Sequence, residues 1–258
     1  MTEYTEKKTK KRNIWVGWVI VLVLAAEVLL AVLMGGRQKT AEAAARAAEE
    51  AAAEATAPPS PMTLGQLLGV SAEDWNLKLV RSDSPLSPSY VPELAPVERQ
   101  ETFDARAAAA LRLMLAEARA DGYTVYLCSG YRSYETQNAI FQRHIRQYMD
   151  EGMTYEQAEA ETLLAVNRPG GSEHQLGLAA DILETQDQAM EPWIGGSGLM
   201  LWLEQHCAEY GFIVRYPDGK TDITGVEYEP WHLRYVGDCA PYIMENGLCL
   251  EEFLEMLG

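Results

Sequence analysis

The sequence predicts an α+β fold: a small antiparallel sheet surrounded by helices, preceded by one transmembrane helix and an Ala/Glu-rich stalk. Three observations predict it. A long apolar run ends at residue 34, a stretch of almost pure Ala, Glu and Arg leads to a proline cluster, and beyond Pro61 short apolar runs of strand length alternate with longer segments of helical period.

The elements follow in chain order. Residues 1–13 are basic through Lys7, Lys8, Lys10, Lys11 and Arg12, and residues 14–34 carry a single ionisable side chain, Glu27. A bilayer core of roughly 30 Å needs about 20 apolar residues as helix, so this run is long enough to cross. Positive charge before it favours a cytoplasmic N-terminus and puts everything after Gly36 outside. A cleaved signal peptide is the rival reading, but its apolar region usually spans only about 7 to 15 residues. Residues 35–61 are the stalk: helix-favouring, almost without large apolar residues, and ended by Pro58, Pro59 and Pro61. The remaining segment, 62–258, is of ordinary size for one domain with its own core.

Within it, 103–120 has helical period, Gly122 breaks it, and 125–128 reads as a short buried strand running into Ser129-Gly130. Residues 134–150 and 154–166 read as helices, the second opened by a capping box of Thr154 and Gln157. Pro169-Gly170-Gly171 mark 167–178 as a loop. Then come a strand at 178–183, a helix at 198–209, and strands at 212–216 and 230–236.

Charge excludes one class. The chain has 21 basic and 38 acidic residues, and without residues 1–34 the balance is about −19. Nucleic-acid binding needs a basic footprint to displace phosphate counterions, so it is not expected. The four cysteines, Cys128, Cys207, Cys239 and Cys249, lack the CxxC spacing of a structural zinc site, and sequence does not choose among their three disulfide pairings.

Two distant segments carry the chemistry. SEHQLGLAAD at 172–181 and EPWH at 229–232 supply His174, Asp181 and His232. Two imidazoles and one carboxylate are a ligand set that leaves a catalytic zinc one position for water. Glu229 stands beside them as the candidate base. Gly177 and Ala179 are small where bulk would obstruct the approach of backbone to metal. Glu229 and His232 are three apart at the start of a strand, so they need not point the same way. Taken singly, a His or Asp near a Gly-rich loop is more often a cap or turn residue, so the combination carries the reading. His144 and His206 lie in helical segments without a partner pattern and read as surface or packing residues.

These segments, with SGYRSYETQ at 129–137 and EPWHLRYVG at 229–237, resemble the signatures of the VanY-type D-alanyl-D-alanine carboxypeptidases, zinc enzymes of bacterial cell-wall metabolism that include L,D-carboxypeptidases. The resemblance covers most of 76–240. It implies zinc on His174, Asp181 and His232, and Glu229 as general base. It implies a charge-stabilising or carboxylate-binding role for Arg132, and substrate contacts for Ser172 and Gln137. A Ser before a turn is equally often a local cap. The partners implied are peptidoglycan stem peptides. The resemblance says nothing about the anchor or stalk; it is the apolar run 14–34 that leads us to expect a domain held outside a bacterial cell membrane by a single N-terminal helix. The expected activity is removal of a C-terminal D-alanine, by D,D or L,D cleavage. The alternatives are a peptidoglycan endopeptidase, a catalytically silent wall-binding module, and a sensor or scaffold. Intact ligands argue against silence, and the stalk lacks the apolar heptads of a coiled coil. Oligomeric state and D,D or L,D preference are left open.

Overall fold

In the computed structural model the described residues are 22–26, 46–49 and 62–257. The first two stretches are helical; the rest of the expected membrane helix (14–34) and almost all of the stalk and linker (35–61) lie outside the described residues. Among the described residues no helix is long and apolar enough to cross a membrane. Met62–Gly258 forms one unit.

That unit opens with a short helix, α1 (Leu64–Leu68), capped by a reciprocal Thr63–Gln66 box. Strands β1 (Leu94–Glu98) and β2 (Glu101–Asp104) form an antiparallel hairpin of their own. Helix α2 (Ala108–Ala120) leads to β3 (Tyr126–Ser129), and α3 (Tyr134–Asp150) pairs with α4 (Tyr155–Leu163). A 3-10 turn, Glu173–Leu176, precedes β4 (Ala179–Leu183), then α5 (Gly198–His206), β5 (Phe212–Tyr216), a helical turn α6 (Thr221–Thr224) and β6 (Glu229–Tyr235). Helices α7 (Ala240–Glu245) and α8 (Leu250–Leu257) close the domain. The main sheet has the order β3-β4-β6-β5, antiparallel throughout. The expected α+β domain with a small antiparallel sheet is therefore present.

Helix α2 shows why these residues fold as they do. Its buried side chains, Ala108, Leu111, Met114, Leu115 and Ala118, recur at helical spacing and join one core with Leu127, Ile182, Leu233 and Phe212 from the sheet. Burying a Leu or Met of this kind contributes about 1.5–3 kcal/mol. A second core, with Leu77, Ile213, Val236, Ile243, Leu250 and Phe253, binds α7 and α8 to the sheet.

Three expected helices change at their edges. The segment 103–120 is not one helix: Phe103 and Asp104 belong to β2, where Phe103 is buried with its ring 6.0 Å from that of Phe212. The hairpin was hidden because its two-residue turn is Arg99-Gln100, without the Gly or Asn such turns favour. Arg99 takes a positive φ of 51°, and its guanidinium lies 3.9 Å above the Tyr126 ring and donates to the Leu127 carbonyl. Residues 154–166 shorten to α4, and 198–209 becomes a 3-10 turn from Cys207. All four cysteines are free.

Candidate metal centre

The sheet register brings the ligands together. Asp181 on β4 is the direct cross-strand partner of His232 on β6, a pairing that sets neighbouring side chains side by side on one face. Asp181 Oδ1 lies 3.1 Å from His232 Nδ1, and Asp181 Oδ2 lies 3.2 Å from His174 Nε2. His174 comes from the 3-10 turn rather than a strand. Its Nδ1–H donates to the Gly130 carbonyl at 2.7 Å, which turns Nε2 toward Asp181. The two imidazoles stand nearly perpendicular, 86° apart, with centroids 5.0 Å from each other.

Glu229 reaches the same place through an irregularity. Val214 pairs with Leu233, but Tyr216 pairs with Glu229, so two steps along β5 face four along β6. Pro230, which has no N–H for a ladder, sits inside this bulge. The side-chain alternation is broken there, and Glu229 Oε2 comes 3.5 Å from His232 Nδ1. Spacing alone did not decide whether the two point the same way.

Glycine plays a different part from the one expected. Gly177 leaves the turn at φ 72°, and a Cβ there would meet the backbone N of Asp104 at 3.0 Å, whose N–H donates to the Gly177 carbonyl. It serves the turn exit and the docking of the β1–β2 hairpin, not clearance for a metal. A Cβ at Gly130 would collide with the Thr102 carbonyl oxygen, which accepts from the neighbouring Tyr131 N–H.

Arg132 joins the opposite side of the site. Its Nη2 donates to Ser129 Oγ at 3.0 Å and Asp181 Oδ2 at 3.2 Å, and its Nη1 to Gln137 Oε1 at 2.9 Å. Its backbone N–H donates to the His174 carbonyl. Gln137 is buried and spends its Nε2 on the Asn167 carbonyl at 2.7 Å, so both ends of its amide have protein partners. Ser172 is buried at the head of the 3-10 turn but does not cap it with its side chain. All seven sequence-predicted residues line one cleft of about 740 Å³, within the roughly 300–1,000 Å³ of small-molecule sites.

The electrostatics suit a cation. Burial raises Asp181, but His174 and His232 outweigh burial and hold it well below the usual carboxylate range. Burial, then the Arg132 charge, lowers His174 and favours the neutral imidazole that ligates metal. Burial and then the Asp181 charge push Glu229 well above the usual carboxylate range, with Arg132 and Arg215 opposing. His174, Asp181 and His232 each bring one ligand atom within 4.8 Å of the others, and buried Asp181 Oδ1 has no hydrogen-bond partner. A carboxylate with one oxygen toward each of two imidazoles, and one of those oxygens orphaned, fits zinc.

Sequence reading missed the rest of the cleft wall. Ser133, Thr136, Ile140, Arg143 and His144 line it beside the predicted Gln137, so His144 is a cleft residue rather than a packing one. Their three- and four-residue spacing is one helix face, a signal that was present in the sequence. His206 is exposed and bonded to Glu209. Glu173, also missed, is buried behind His232.

A family model described as VanY: D-alanyl-D-alanine carboxypeptidase matches residues 100–238. The chain is 42% identical over 183 residues to a D-alanyl-D-alanine carboxypeptidase of Enterococcus faecalis, the match covering 70% of this chain and 66% of that protein, just under two thirds of the relative's length. Among solved structures, VanYB in complex with D-alanine-D-alanine is 41% identical with a TM-score of 0.65, covering 72% of this chain and 100% of its own. A vancomycin-resistance D,D-pentapeptidase VanY in complex with Zn(II) is 41% identical with a TM-score of 0.63, covering 70% and 99%. The LD-carboxypeptidase LdcB is 36% identical with a TM-score of 0.61, covering 71% and 88%.

Proposed function

Because the chain belongs to the VanY family of D-alanyl-D-alanine carboxypeptidases, we propose that it is a zinc carboxypeptidase that removes the C-terminal D-alanine from peptidoglycan stem peptides. One observation carries this reading: the His174, Asp181 and His232 cluster opens on a cleft that also holds Glu229 and Arg132. Zinc bound by these three residues acts as a Lewis acid and lowers the pKa of water toward about 7.

The chain's own residues supply the rest. Glu229, 3.5 Å from His232, accepts the proton of the attacking water and returns it to the departing amine. Burial and the Asp181 charge raise this carboxylate well above its ordinary range, which helps it hold the proton between the two transfers. Arg132 is fixed by Ser129, Gln137 and Asp181, and its planar fork suits either the substrate's terminal carboxylate or the charge that grows on the scissile carbonyl oxygen. Ser172 contributes a hydroxyl to the cleft and Gln137 holds Arg132.

Both cleavage preferences occur among the relatives: the VanY of the VanB-type resistance cassette is a D,D-pentapeptidase, while LdcB is an LD-carboxypeptidase. The apolar run 14–34 behind a basic segment supports a domain tethered outside a bacterial membrane, and protease protection of residues 1–13 in sealed cells tests that arrangement. The activity is tested by mass spectrometry of purified tetra- and pentapeptide muropeptides after incubation with the zinc-loaded chain. Loss of one alanine from the pentapeptide alone means D,D cleavage, and from the tetrapeptide alone L,D cleavage. Cleavage of cross-linked dimers with no trimming of either end would replace this reading with the endopeptidase.

A further inference from the structure

Four buried charges stand behind the ligand cluster. Glu173 from the 3-10 turn, Arg215 from β5, Arg234 from β6 and Glu251 from α8 are each at most 6% exposed. Glu173 Oε1 accepts from Arg215 Nε at 2.8 Å and from Arg234 Nη1 at 2.7 Å. Glu251 grips the far side of Arg215 with both oxygens, at 2.8 and 2.7 Å, and Arg234 Nη2 donates to the Asn76 and Lys78 carbonyls. Burying such a group is costly, and an apolar set of the same volume is often as stable or more so. Stability alone therefore does not account for it.

The way the contacts are divided does. Both guanidinium groups hold Glu173 by the same oxygen, and they leave Oε2 buried without a hydrogen-bond partner. That oxygen faces His232 Nε2 at 4.0 Å, and Nε2 is itself buried and unpartnered. The other ring nitrogen, Nδ1, faces Asp181 and Glu229. An imidazole that offers its Nδ1 lone pair to a metal carries its proton on Nε2, on the side where Glu173 stands. The gap is about 1 Å longer than a hydrogen bond, so the unpartnered Oε2 acts across it as an acceptor facing an N–H dipole. His174 is oriented in the same sense by the Gly130 carbonyl, but that partner is neutral backbone.

We propose that Glu173 is a positioning residue for the metal ligand His232: its free oxygen selects the Nε2–H tautomer and turns Nδ1 toward the metal, while Arg215 and Arg234 keep that oxygen aimed. The inference rests on the zinc reading of the cluster. It assigns Glu173, Arg215 and Arg234 a task in metal binding, whereas Glu251 anchors α8 to the far side of Arg215.

The test compares Glu173→Gln and Glu251→Gln with the unaltered 258-residue chain, by zinc competition against a chromogenic chelator, by the visible spectrum of the cobalt-substituted protein, and by the unfolding midpoint of the metal-free forms. Glu173→Gln is expected to weaken zinc binding about 10- to 100-fold and to shift the cobalt bands. Glu251→Gln opens the same charge group at its far end, so it lowers the metal-free unfolding midpoint and leaves zinc affinity within a few-fold. If Glu173→Gln does not fold, Glu173→Asp keeps the charge but draws the oxygen back from His232, and it should weaken zinc binding in a folded chain. Unchanged zinc affinity in the folded Glu173 variant, or an equal loss in Glu251→Gln, overturns the proposal. An unaltered chain that competes for no zinc overturns the zinc reading itself, before any variant is compared.

Discussion

The two walls of the cleft are held very differently. On the ligand wall every residue from 170 to 183 is buried, whereas on the opposite wall Gln137 is the one buried residue between 131 and 140. One wall is core that ends in the candidate ligand cluster; the other is a helix face open to solvent. The ligand wall should therefore respond to mutation by losing the metal outright, and the helix wall by graded losses with the metal still in place.

The largest effect tests the ligand wall. His174→Ala removes one of three ligands and the only imidazole pinned by Gly130, so the purified chain should contain no stoichiometric zinc by elemental analysis and show no muropeptide trimming. Full zinc content in that variant would break the comparison at its root. Glu229→Ala comes next. Glu229 shares the buried side but is not one of the ligand cluster, so zinc should stay while kcat falls about 10²- to 10⁴-fold. If zinc leaves with activity, Glu229 is a ligand and its assignment as base fails.

Arg132→Lys probes the other wall. A lysine keeps the charge but has no planar fork to span Ser129, Gln137 and Asp181 together. We expect kcat/KM to fall about 10²- to 10³-fold, the range for losing one fixed charge-stabilising donor, with zinc content intact. A loss confined to KM would assign Arg132 to the substrate carboxylate, and a loss in kcat to the reacting carbonyl oxygen.

The same contrast explains what could be read from the sequence. The ligand wall was legible because its residues are chemically specific and its strands are short, largely apolar runs: Phe212–Tyr216 matches its expected strand, and Asp181 and His232 lie on adjacent strands of one sheet. The helix wall was half legible: the helix at Tyr134–Asp150 was evident, but Arg143 and His144 carry no motif and become cleft residues only once α3 is packed beside the sheet. The approach of Glu229 to His232 depends on a bulge, and bulges are set by tertiary pairing rather than by local propensity. The hairpin before α2 lacked turn residues that announce it, so helical propensity in the alanine run spread too far upstream.

Ser172 sharpens the comparison most, because it belongs to one wall by burial and to the other by contact. It sits inside the fully buried stretch, yet it neither caps the turn that follows nor belongs to the ligand cluster, and it lines the cleft. If burial set the cost of mutation, Ser172→Ala would resemble a ligand change. If contact with substrate sets it, the variant loses one neutral hydrogen bond, worth about 0.5–1.5 kcal/mol or roughly 2- to 10-fold, and the loss appears in KM. We expect the second outcome, with zinc affinity and unfolding midpoint unchanged. Titrating the zinc-loaded variant with a pentapeptide and reading KM and kcat separately distinguishes the two. A collapse in zinc content would mean that the whole buried stretch, not only its ligands, holds the metal.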